Sequence, residues 1–461
     1  MAPIPMFPYA PEDRRSEEEK RDQRAVVRDQ IVPWVAKLTD AATRKASQAE
    51  AMTVLRNRRN GAAVTAFEVD DDEYPVAPYR LLVSDGHAGA VSKYLGAKYA
   101  PQIVPIPGLD GVRVLQDIGA GPRRLRCAGA VARTVADRRA VPSYVALLGA
   151  VRKAVGGPEP ASPPNGEFSQ AIGAVARAPG PRVVIIDNGV SAEVRADGWL
   201  AGLARSDNLD LLNVVPLDDY LDLAAGHGTF TAGIVQQVAP AALNLEVRRV
   251  LDTEGVGDEL DIGREIVRAA ADGAEVINLS LGLVTADDDP PFALEAAIRT
   301  AVDVARENGT HLLLVCAAGN YADERPCWPA AFCREPGLEE HVVSVAALRR
   351  DYDDPTKVVG AEWSTHGDRV TISTFGQGVV STYVVGTESP KEDPLDADTF
   401  GPSSWAIWSG TSFAAPQVTG AIVRIMQERH VATAREALEQ LKQECAEEIK
   451  GYGTSIEILP V

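Results

Sequence analysis

Short apolar segments that alternate with helical segments in the second half of the chain most constrain what it can fold into. The stretches between them, such as 260–271 and 292–307, have the periodicity of amphipathic helices. Apolar strands joined by helices are typical of a parallel sheet that is covered on both faces. Residues 166–461, the back part, are therefore predicted to form a doubly wound, mostly parallel α/β domain, with strands in PRVVIID, LNLEVRRVLD, AEVINLSLG, HLLLVCAAGN and HVVSVAAL.

Residues 1–165, the front part, have a different pattern and are predicted to form a separate α+β domain. Residues 16–59 have apolar residues at helical spacing, which favours a helix interrupted or kinked at Pro33. The sequence GGPEPASPPNG at 156–166 has the composition of an exposed linker and marks the predicted boundary. Between them we predict strands at 63–69, 79–83, 102–106 and 112–118, and helices at 88–95 and 130–155.

Net charge divides the chain at the same place. The front part carries 24 Lys and Arg against 19 Asp and Glu, whereas the back part carries 22 against 46. The resulting charges of +5 and −24 sum to the total of −19, which argues against nucleic acid or an anionic membrane surface as the main partner. They also predict an attraction between the two parts of one molecule.

Other features of the composition exclude further classes of protein. No segment has the roughly 18–20 apolar residues of a transmembrane helix, and the N-terminus lacks the apolar core of a signal peptide. A cytoplasmic protein is therefore expected. The five cysteines show no metal-binding spacing. The acidic loops at 287–289 and 351–354 could bind calcium, but solvated acidic loops are much commoner, so we predict no metal and no cofactor. Cys327 and Cys333 could close a small loop, but free thiols are expected in a reducing compartment.

Four polar residues stand at the ends of predicted strands or the starts of predicted helices. Asp187 ends the first apolar strand, where open α/β sheets place their sites, and Asn320 follows a later strand. His227 lies between two glycines, and Ser412 comes just before a predicted helix. Each has an ordinary structural alternative. Asp187 and Asn320 are typical turn residues, and a histidine or serine at a helix start is often only a cap.

The four residues together are more specific than any one of them. They occur in the order Asp-x-Gly, Gly-His-Gly-Thr, Ala-Ala-Gly-Asn and Gly-Thr-Ser-x-Ala-x-Pro, which resembles the subtilase family. The resemblance implies a serine endopeptidase in which His227 is the base for the Ser412 nucleophile and Asp187 orients the imidazole. It assigns Asn320 to the oxyanion hole. Asn188 departs from the family, which usually has Ser or Thr there.

The resemblance also implies how a protein or peptide substrate binds. Ala317, Ala318 and Gly319 would form one wall of the pocket for the residue just before the cut. Glu259 falls where the family lines the pocket for the fourth residue before the cut, so it predicts a preference for Lys or Arg there, with a solvated loop charge as the alternative. An extended substrate would pair with two edges, namely Ser280, Leu281 and Gly282 on one side and Gly255, Val256 and Gly257 on the other.

Two questions stay open from the sequence. The front part is compatible with a prosegment that docks on the catalytic domain, blocks its cleft and is cut off in the linker, and also with a permanent accessory domain. The chain is either an active protease or a regulatory pseudo-protease that keeps the fold without turnover. Competent residue types at all four catalytic positions favour the active protease.

Overall fold

A computed structural model describes residues 4–38, 40–58, 68–69, 75–99, 101–116, 140–148, 157–164, 180–215, 217–240, 244–390, 397–444 and 447–461. Two main sheets organise these residues, a mostly parallel sheet in the back part and an antiparallel sheet built largely from the front part. The predicted fold class, a mostly parallel α/β sheet with an N-terminal α+β region, is confirmed. Among the helices described, none is long and apolar enough to cross a bilayer.

The described helices, in chain order, are α1 (Glu17–Val35), α2 (Ala41–Arg58), α3 (Asp85–Tyr99), α4 (His227–Val238), α5 (Glu259–Ala271), α6 (Phe292–Glu307), α7 (Thr411–Arg429) and α8 (Ala434–Glu444), with 3₁₀ helices at Ala36–Leu38, Ala286–Asp288 and Ala330–Arg334. The described strands are β1 (Glu68–Val69), β2 (Pro75–Ser84), β3 (Gln102–Pro105), β4 (Val112–Gln116), β5 (Ala140–Leu148), β6 (Glu159–Pro160), β7 (Arg182–Asp187), β8 (Asn244–Arg249), β9 (Val256–Asp258), β10 (Val276–Leu279), β11 (Leu281–Gly282), β12 (Leu313–Ala317), β13 (Val342–Arg350), β14 (Val358–Gly360), β15 (Ile372–Phe375), β16 (Val379–Thr382), β17 (Gly386–Thr387), β18 (Thr399–Phe400), β19 (Trp405–Trp408) and β20 (Thr454–Ser455).

Seven of the described strands form the parallel part of the central sheet, in the order β20–β15–β13–β12–β10–β7–β8, and β14 joins β13 antiparallel. Val183 and Ile185 of β7 lie in the apolar core on one face, and Val184 and Ile186 lie in the core on the other. Helices α4, α7 and α8 belong to the first core, and α5 and α6 belong to the second. Because its side chains alternate between two cores, such a strand must be apolar throughout.

The antiparallel sheet of the front part runs β3–β4–β2–β5, with β1 beside β2. It packs against α5 and α6, since Val112 and Val114 of β4 share one apolar core with Ile262 and Leu294. The C-terminal end of β5 extends past this sheet and pairs with β9 and β11. One continuous strand therefore connects the front part to two short strands of the back part.

Most predicted elements of the front part are confirmed, and one is wrong. β2, β3, β4 and α3 lie where strands and a helix are predicted, and α1 and α2 form from 16–59 with the break after α1 instead of at Pro33. The helix predicted at 130–155 is wrong, because its described residues form the strand β5. Backbone pairing with β2, β9 and β11 favours the strand. Of the strand predicted at 63–69, residues 68–69 form β1, and the others lie outside the described residues.

Residues 157–164 match the exposed linker predicted at 156–166 only in part, since Pro160, Ser162 and Pro163 are exposed and other residues are not. Gly157 and Pro158 are buried, and β6 pairs with β19 of the back part. A Cβ atom at Gly157 would lie 2.6 Å from the Ile407 carbonyl oxygen, so glycine permits this close backbone approach. Proline and glycine thus indicate irregular backbone here but not its exposure.

The first described residues, 4–38, form an N-terminal arm that packs against the back part. Phe7, Val27 and Ile31 are buried in the same apolar core as α4 and α7. The Phe7 backbone N–H donates a hydrogen bond to the Glu457 carbonyl oxygen (2.6 Å). The arm therefore supplies core side chains to a domain from which it is distant in sequence.

Truncating a buried side chain of the arm tests this packing. Phe7 is 1% exposed, so Phe7→Ala leaves a cavity, and we expect the free energy of unfolding to fall by about 3–5 kcal/mol. Met6 is 64% exposed, and Met6→Ala should change it by less than about 0.5 kcal/mol. Urea unfolding followed by tryptophan fluorescence, in a Ser412→Ala background, measures both. Equal effects of the two substitutions would show that the arm is not part of the core.

Candidate active site

Asp187 and His227 are in direct contact. Asp187 ends β7, His227 begins α4, and both side chains are fully buried. The Nδ1 atom of His227 lies 2.9 Å from each carboxylate oxygen of Asp187. A carboxylate at Nδ1 holds the proton on that nitrogen and leaves Nε2 as the basic end of the ring. Nε2 has no hydrogen-bond partner among the described residues.

Asn188 connects the end of β7 to the loop and helix that carry the histidine. Its Oδ1 accepts a hydrogen bond from the Gly228 N–H (2.9 Å), and its Nδ2 donates to the Ala224 carbonyl oxygen (2.7 Å) and to Asp210 (3.2 Å). Asp210 in turn accepts a hydrogen bond from the Gly226 N–H (2.7 Å). The Asn188 amide and the Asp210 carboxyl group therefore hold the backbone on both sides of His227.

Ser412 is the second residue of α7 and is also fully buried. Its hydroxyl donates to the Ser280 carbonyl oxygen (2.8 Å), and the Ser280 hydroxyl donates to the Ser412 carbonyl oxygen (2.8 Å). The Ser412 hydroxyl is therefore directed at Ser280 and not at His227 in this structure. The His227 ring lies 5.2 Å from that of Phe413, the next residue in α7. Base and nucleophile thus share one site, but the hydrogen bond between them is not made.

Asn320 lies beside the start of α7. Its Oδ1 accepts hydrogen bonds from the Thr411 N–H (3.1 Å) and from the Thr411 hydroxyl (2.9 Å). Because Oδ1 is held in this way, the amide Nδ2 points away from Thr411. Asn320 also lines a cavity of about 170 Å³ in the cleft. The predicted oxyanion donor therefore lies next to the residue that precedes Ser412.

Both predicted substrate edges are paired with β5 of the front part. Leu147 and Leu148 pair antiparallel with β11, and Val145–Leu147 pair antiparallel with β9. The Leu148 N–H also donates to the Gly255 carbonyl oxygen (2.9 Å). An extended substrate adds to sheet edges through backbone contacts of this kind. The predicted residues lie in the edges or next to them, with Leu281 and Gly282 in β11, Val256 and Gly257 in β9, and Ser280 and Gly255 directly before them.

The predicted pocket wall is only partly formed by the residues expected. Ala317 and Gly319 line the cavity of about 170 Å³ beside the end of β5. Ala318 does not line it and packs instead with Ala346 and Val370. Successive side chains of an extended segment point to opposite sides, so every second residue of this segment faces the cavity.

Cys327 narrows the same cavity. Cβ atoms built on Gly282 and Gly319 would lie 2.4 and 2.9 Å from its Sγ, so the sulfur is packed against β11 and against the segment that follows β12. Burial raises the pKa of the Cys327 thiol to about 12, and the sulfur therefore acts as a small apolar group. Cys327 and Cys333 are both free and buried.

Glu259, predicted to line a substrate pocket, is instead buried at the start of α5. Its side chain accepts a hydrogen bond from the Tyr144 N–H of β5 (2.7 Å). Burial raises its pKa to about 8, because loss of water disfavours the ionised carboxylate. In this structure Glu259 therefore binds the backbone of β5 and does not present a charge to a substrate side chain.

Comparison with known proteins agrees with this geometry. A family model for the subtilase family matches residues 180–453, more than half of the chain. The chain belongs to the subtilase family. Membership, together with similarity to characterised subtilases, makes it a subtilisin-like serine endopeptidase.

Several subtilases are similar to the chain over part of its length. Thermitase of Thermoactinomyces vulgaris is 29% identical over 298 residues, which are 61% of this chain and 86% of thermitase. Mycosin-4 of Mycobacterium tuberculosis is 30% identical over 58% of this chain and 60% of mycosin-4. The crystal structure of fervidolysin from Fervidobacterium pennivorans, a keratinolytic enzyme related to subtilisin, shares the fold, with a TM-score of 0.56 and 20% identity over 86% of this chain and 62% of that one.

Two groups in this subtilase site have no motif that identifies them. Asp210 lies in an irregular loop, and only its contacts with Asn188 and Gly226 show its role. Cys327 is distant in sequence from both glycines that it contacts. Asn188 stands out in the sequence as a departure from the family, and its side chain contacts the backbone of Ala224 and Gly228 on either side of His227.

Asp210 should make the stability of this subtilase depend on pH. Burial raises its pKa to about 7, although a hydrogen bond from the Gly226 N–H opposes the rise. A raised carboxyl pKa means that the folded state binds the proton more tightly, so the stabilisation is present at low pH and is lost as pH rises through about 7. From about pH 6 to about pH 8, this group should lower the free energy of unfolding by about 1.4 kcal/mol.

Asp210→Asn removes this titration. Between about pH 6 and about pH 8, the variant should therefore lose about 1.4 kcal/mol less of its free energy of unfolding than the parent does. Asp261→Asn is the control, because that carboxylate is 58% exposed on α5 and should leave the pH dependence unchanged. Urea unfolding of both variants in a Ser412→Ala background gives the comparison. The same pH dependence with and without Asp210 would contradict the assignment.

Proposed function

We propose that this subtilase cuts its own chain after Gly149 and that the segment up to that residue acts as a prosegment that inhibits the enzyme. The observation that carries the proposal is the position of β5, which pairs with both substrate edges. A permanent accessory domain would not need to occupy the substrate edges. The cytoplasmic location stays a prediction from the sequence, which cell fractionation tests.

The register of β5 supports this choice of bond. Leu148 lies opposite Leu281 in the antiparallel pair. Gly149 follows Leu148 in the sequence and Ser280 precedes Leu281, so a substrate bound antiparallel in this register would have its next residue at Ser280. The Ser280 carbonyl oxygen is the group that the Ser412 hydroxyl contacts (2.8 Å). Residues 149–156 lie outside the described residues, and the bond after Gly149 is proposed because Leu148 is the last described residue of β5.

In the proposed mechanism, arrival of the substrate frees the nucleophile. A substrate N–H that bonds to the Ser280 carbonyl oxygen competes with the Ser412 hydroxyl for that acceptor, so the hydroxyl turns toward His227. His227 accepts the proton at Nε2 as Ser412 Oγ attacks the carbonyl carbon, and Asp187 stabilises the charged ring. The proton then passes to the leaving amine, and water hydrolyses the acyl-enzyme that remains.

The negative charge that develops on the carbonyl oxygen needs donors that are already in place. We assign this role to the Asn320 amide and the Ser412 backbone N–H. Thr411 holds the Asn320 Oδ1 through two hydrogen bonds, which fixes the orientation of the amide before the reaction. Fixed donors stabilise the developing charge without reorganising during the step.

A small residue before the cut suits the pocket that this chain has. The Cys327 sulfur is packed against Gly282 and Gly319, so the space beside the scissile bond is short. Glycine at position 149 needs no side-chain space. Glycine, the residue just before the proposed cut, is therefore small enough for this pocket.

Contacts around β5 support inhibition by the uncut front part. Met52 and Leu55 of α2 are buried together with Val145 of β5 and Val256 of β9, so a helix covers the strand that lies in the cleft. The Tyr144 N–H of β5 also donates a hydrogen bond to the Glu259 carboxyl group at the start of α5. A substrate has to displace both the strand and the helix above it.

N-terminal sequencing of the purified chain tests the proposal. Wild type should give a new N-terminus at Ala150, and Ser412→Ala should stay intact because it lacks the nucleophile. His227→Ala should lower peptide hydrolysis by at least about a thousandfold without unfolding the protein. A fluorophosphonate probe should label wild type and not Ser412→Ala. A folded wild type that stays uncut and unlabelled would contradict the proposed function.

The size of residue 149 gives a separate test of the pocket. Gly149→Phe should slow self-cleavage by at least about tenfold, because the ring has no room beside Cys327, whereas Gly149→Ala should stay within about threefold of wild type. Cys327→Gly should restore cutting of the Gly149→Phe chain. Intact mass measured over time gives the rates. Equal rates for the Phe and Ala variants would rule out the narrow pocket, and a cut elsewhere would rule out the register.

A further inference from the structure

Two buried carboxylates meet a cation from α2 beside the substrate edge. The Glu254 side chain is 0% exposed and that of Asp222 is 1% exposed. The Arg58 guanidinium lies 2.7 Å from Glu254 and 3.9 Å from Asp222, and it also donates to the Val215 carbonyl oxygen (2.7 Å). A basic side chain of the front part thus occupies an acidic site of the back part.

This acidic site adjoins one particular position of the bound strand. Glu254 directly precedes Gly255, whose carbonyl oxygen accepts the Leu148 N–H (2.9 Å). Glu254, Leu148 and Leu223 also line the same cavity. In the proposed register, Leu148 is the second residue before the cut. A long side chain at that position can therefore run through the cavity to the Glu254 carboxylate.

A cation stabilises the ionised form of both carboxylates at this site. Asp222 accepts hydrogen bonds from the backbone N–H groups of Val214 (2.7 Å) and Val215 (3.1 Å), which fix its carboxylate. Burial raises the pKa of Asp222 to about 7; neighbouring Glu254 adds to the rise and Arg58 opposes it. Two adjacent buried carboxylates are costly unless a cation balances them. Loss of Arg58 together with the cut segment would remove this guanidinium from the site.

We propose that Glu254 and Asp222 form a binding site for the lysine or arginine side chain of a substrate, at the second residue before the cut. The inference rests on the proposed function, in which the segment that carries Arg58 gives way to a substrate. Arg58 enters from α2 and not from β5, so the chain's own strand can have Leu148 at that position while the acidic site is filled. The basic preference that the sequence predicts through Glu259 is thus assigned to Glu254.

Two chromogenic peptides test the inference. They are identical, with alanine just before the cut, except for Lys or Leu at the residue preceding it. The full chain is first left to complete its self-cleavage, and the ratio of kcat/KM for the two peptides cancels the amount of active enzyme. Wild type should favour the Lys peptide by at least about tenfold, and the ratio should fall to about one or two in Glu254→Gln.

The control variant separates this site from the general negative charge of the back part. Asp261→Asn removes a 58% exposed carboxylate of the nearby α5, and its ratio should equal that of wild type. If Glu254→Gln does not fold, Asp222→Asn is measured instead, and its ratio should also fall toward one. A wild-type ratio near one, or an unchanged ratio in Glu254→Gln, overturns the inference. Neither outcome contradicts the proposed protease function. Hydrolysis of neither peptide, in a preparation that also stays uncut, overturns the proposed function and the inference with it.

Discussion

The contact on which the active site depends is the meeting of the end of β7 with the start of α4. A Cβ atom at Gly228 would lie 2.0 Å from the Gly189 carbonyl oxygen, so only residues without a side chain allow the two backbones to come this close. This approach sets the His227 ring against the Asp187 carboxylate in a fully buried place, where hydrogen bonds to charged groups are strong. The sheet fixes one partner and the helix fixes the other, so the pair has little freedom to separate.

The sequence predicts the sheet and the polar residues at its edge because both depend on the residues of each segment itself. A strand such as β7 must be apolar on both faces, and the residue at its end must be Asp187 for this chemistry. The contacts that complete the site are decided by distant partners instead. AVPSYVALL forms a strand because the backbone edges of β9 and β11 lie beside it, and Glu259 is buried because that strand covers it. No pattern within these segments specifies such neighbours.

The front part is held by contacts of different kinds. The arm places Phe7 and Ile31 in the core of the back part, the antiparallel sheet packs on α5 and α6, and β5 lies between the substrate edges. Each of these contacts is non-covalent and lies at a different place on the back part. Under the proposed function, cutting one peptide bond therefore ends the covalent link and leaves these contacts in place, so the cut and the removal of the segment are separate events.

The acidic site connects inhibition with substrate recognition through charge. Because Glu254 and Asp222 bind a cation while Arg58 is in place, a basic substrate exchanges one cation for another and leaves the number of paired charges unchanged. The balance between the uncut segment and a basic substrate then depends on the other contacts of the segment, such as the apolar packing of Met52 and Leu55 over β5. A substrate without a cation does not replace the charge of Arg58, and it is at a disadvantage against the segment before any apolar contact is counted.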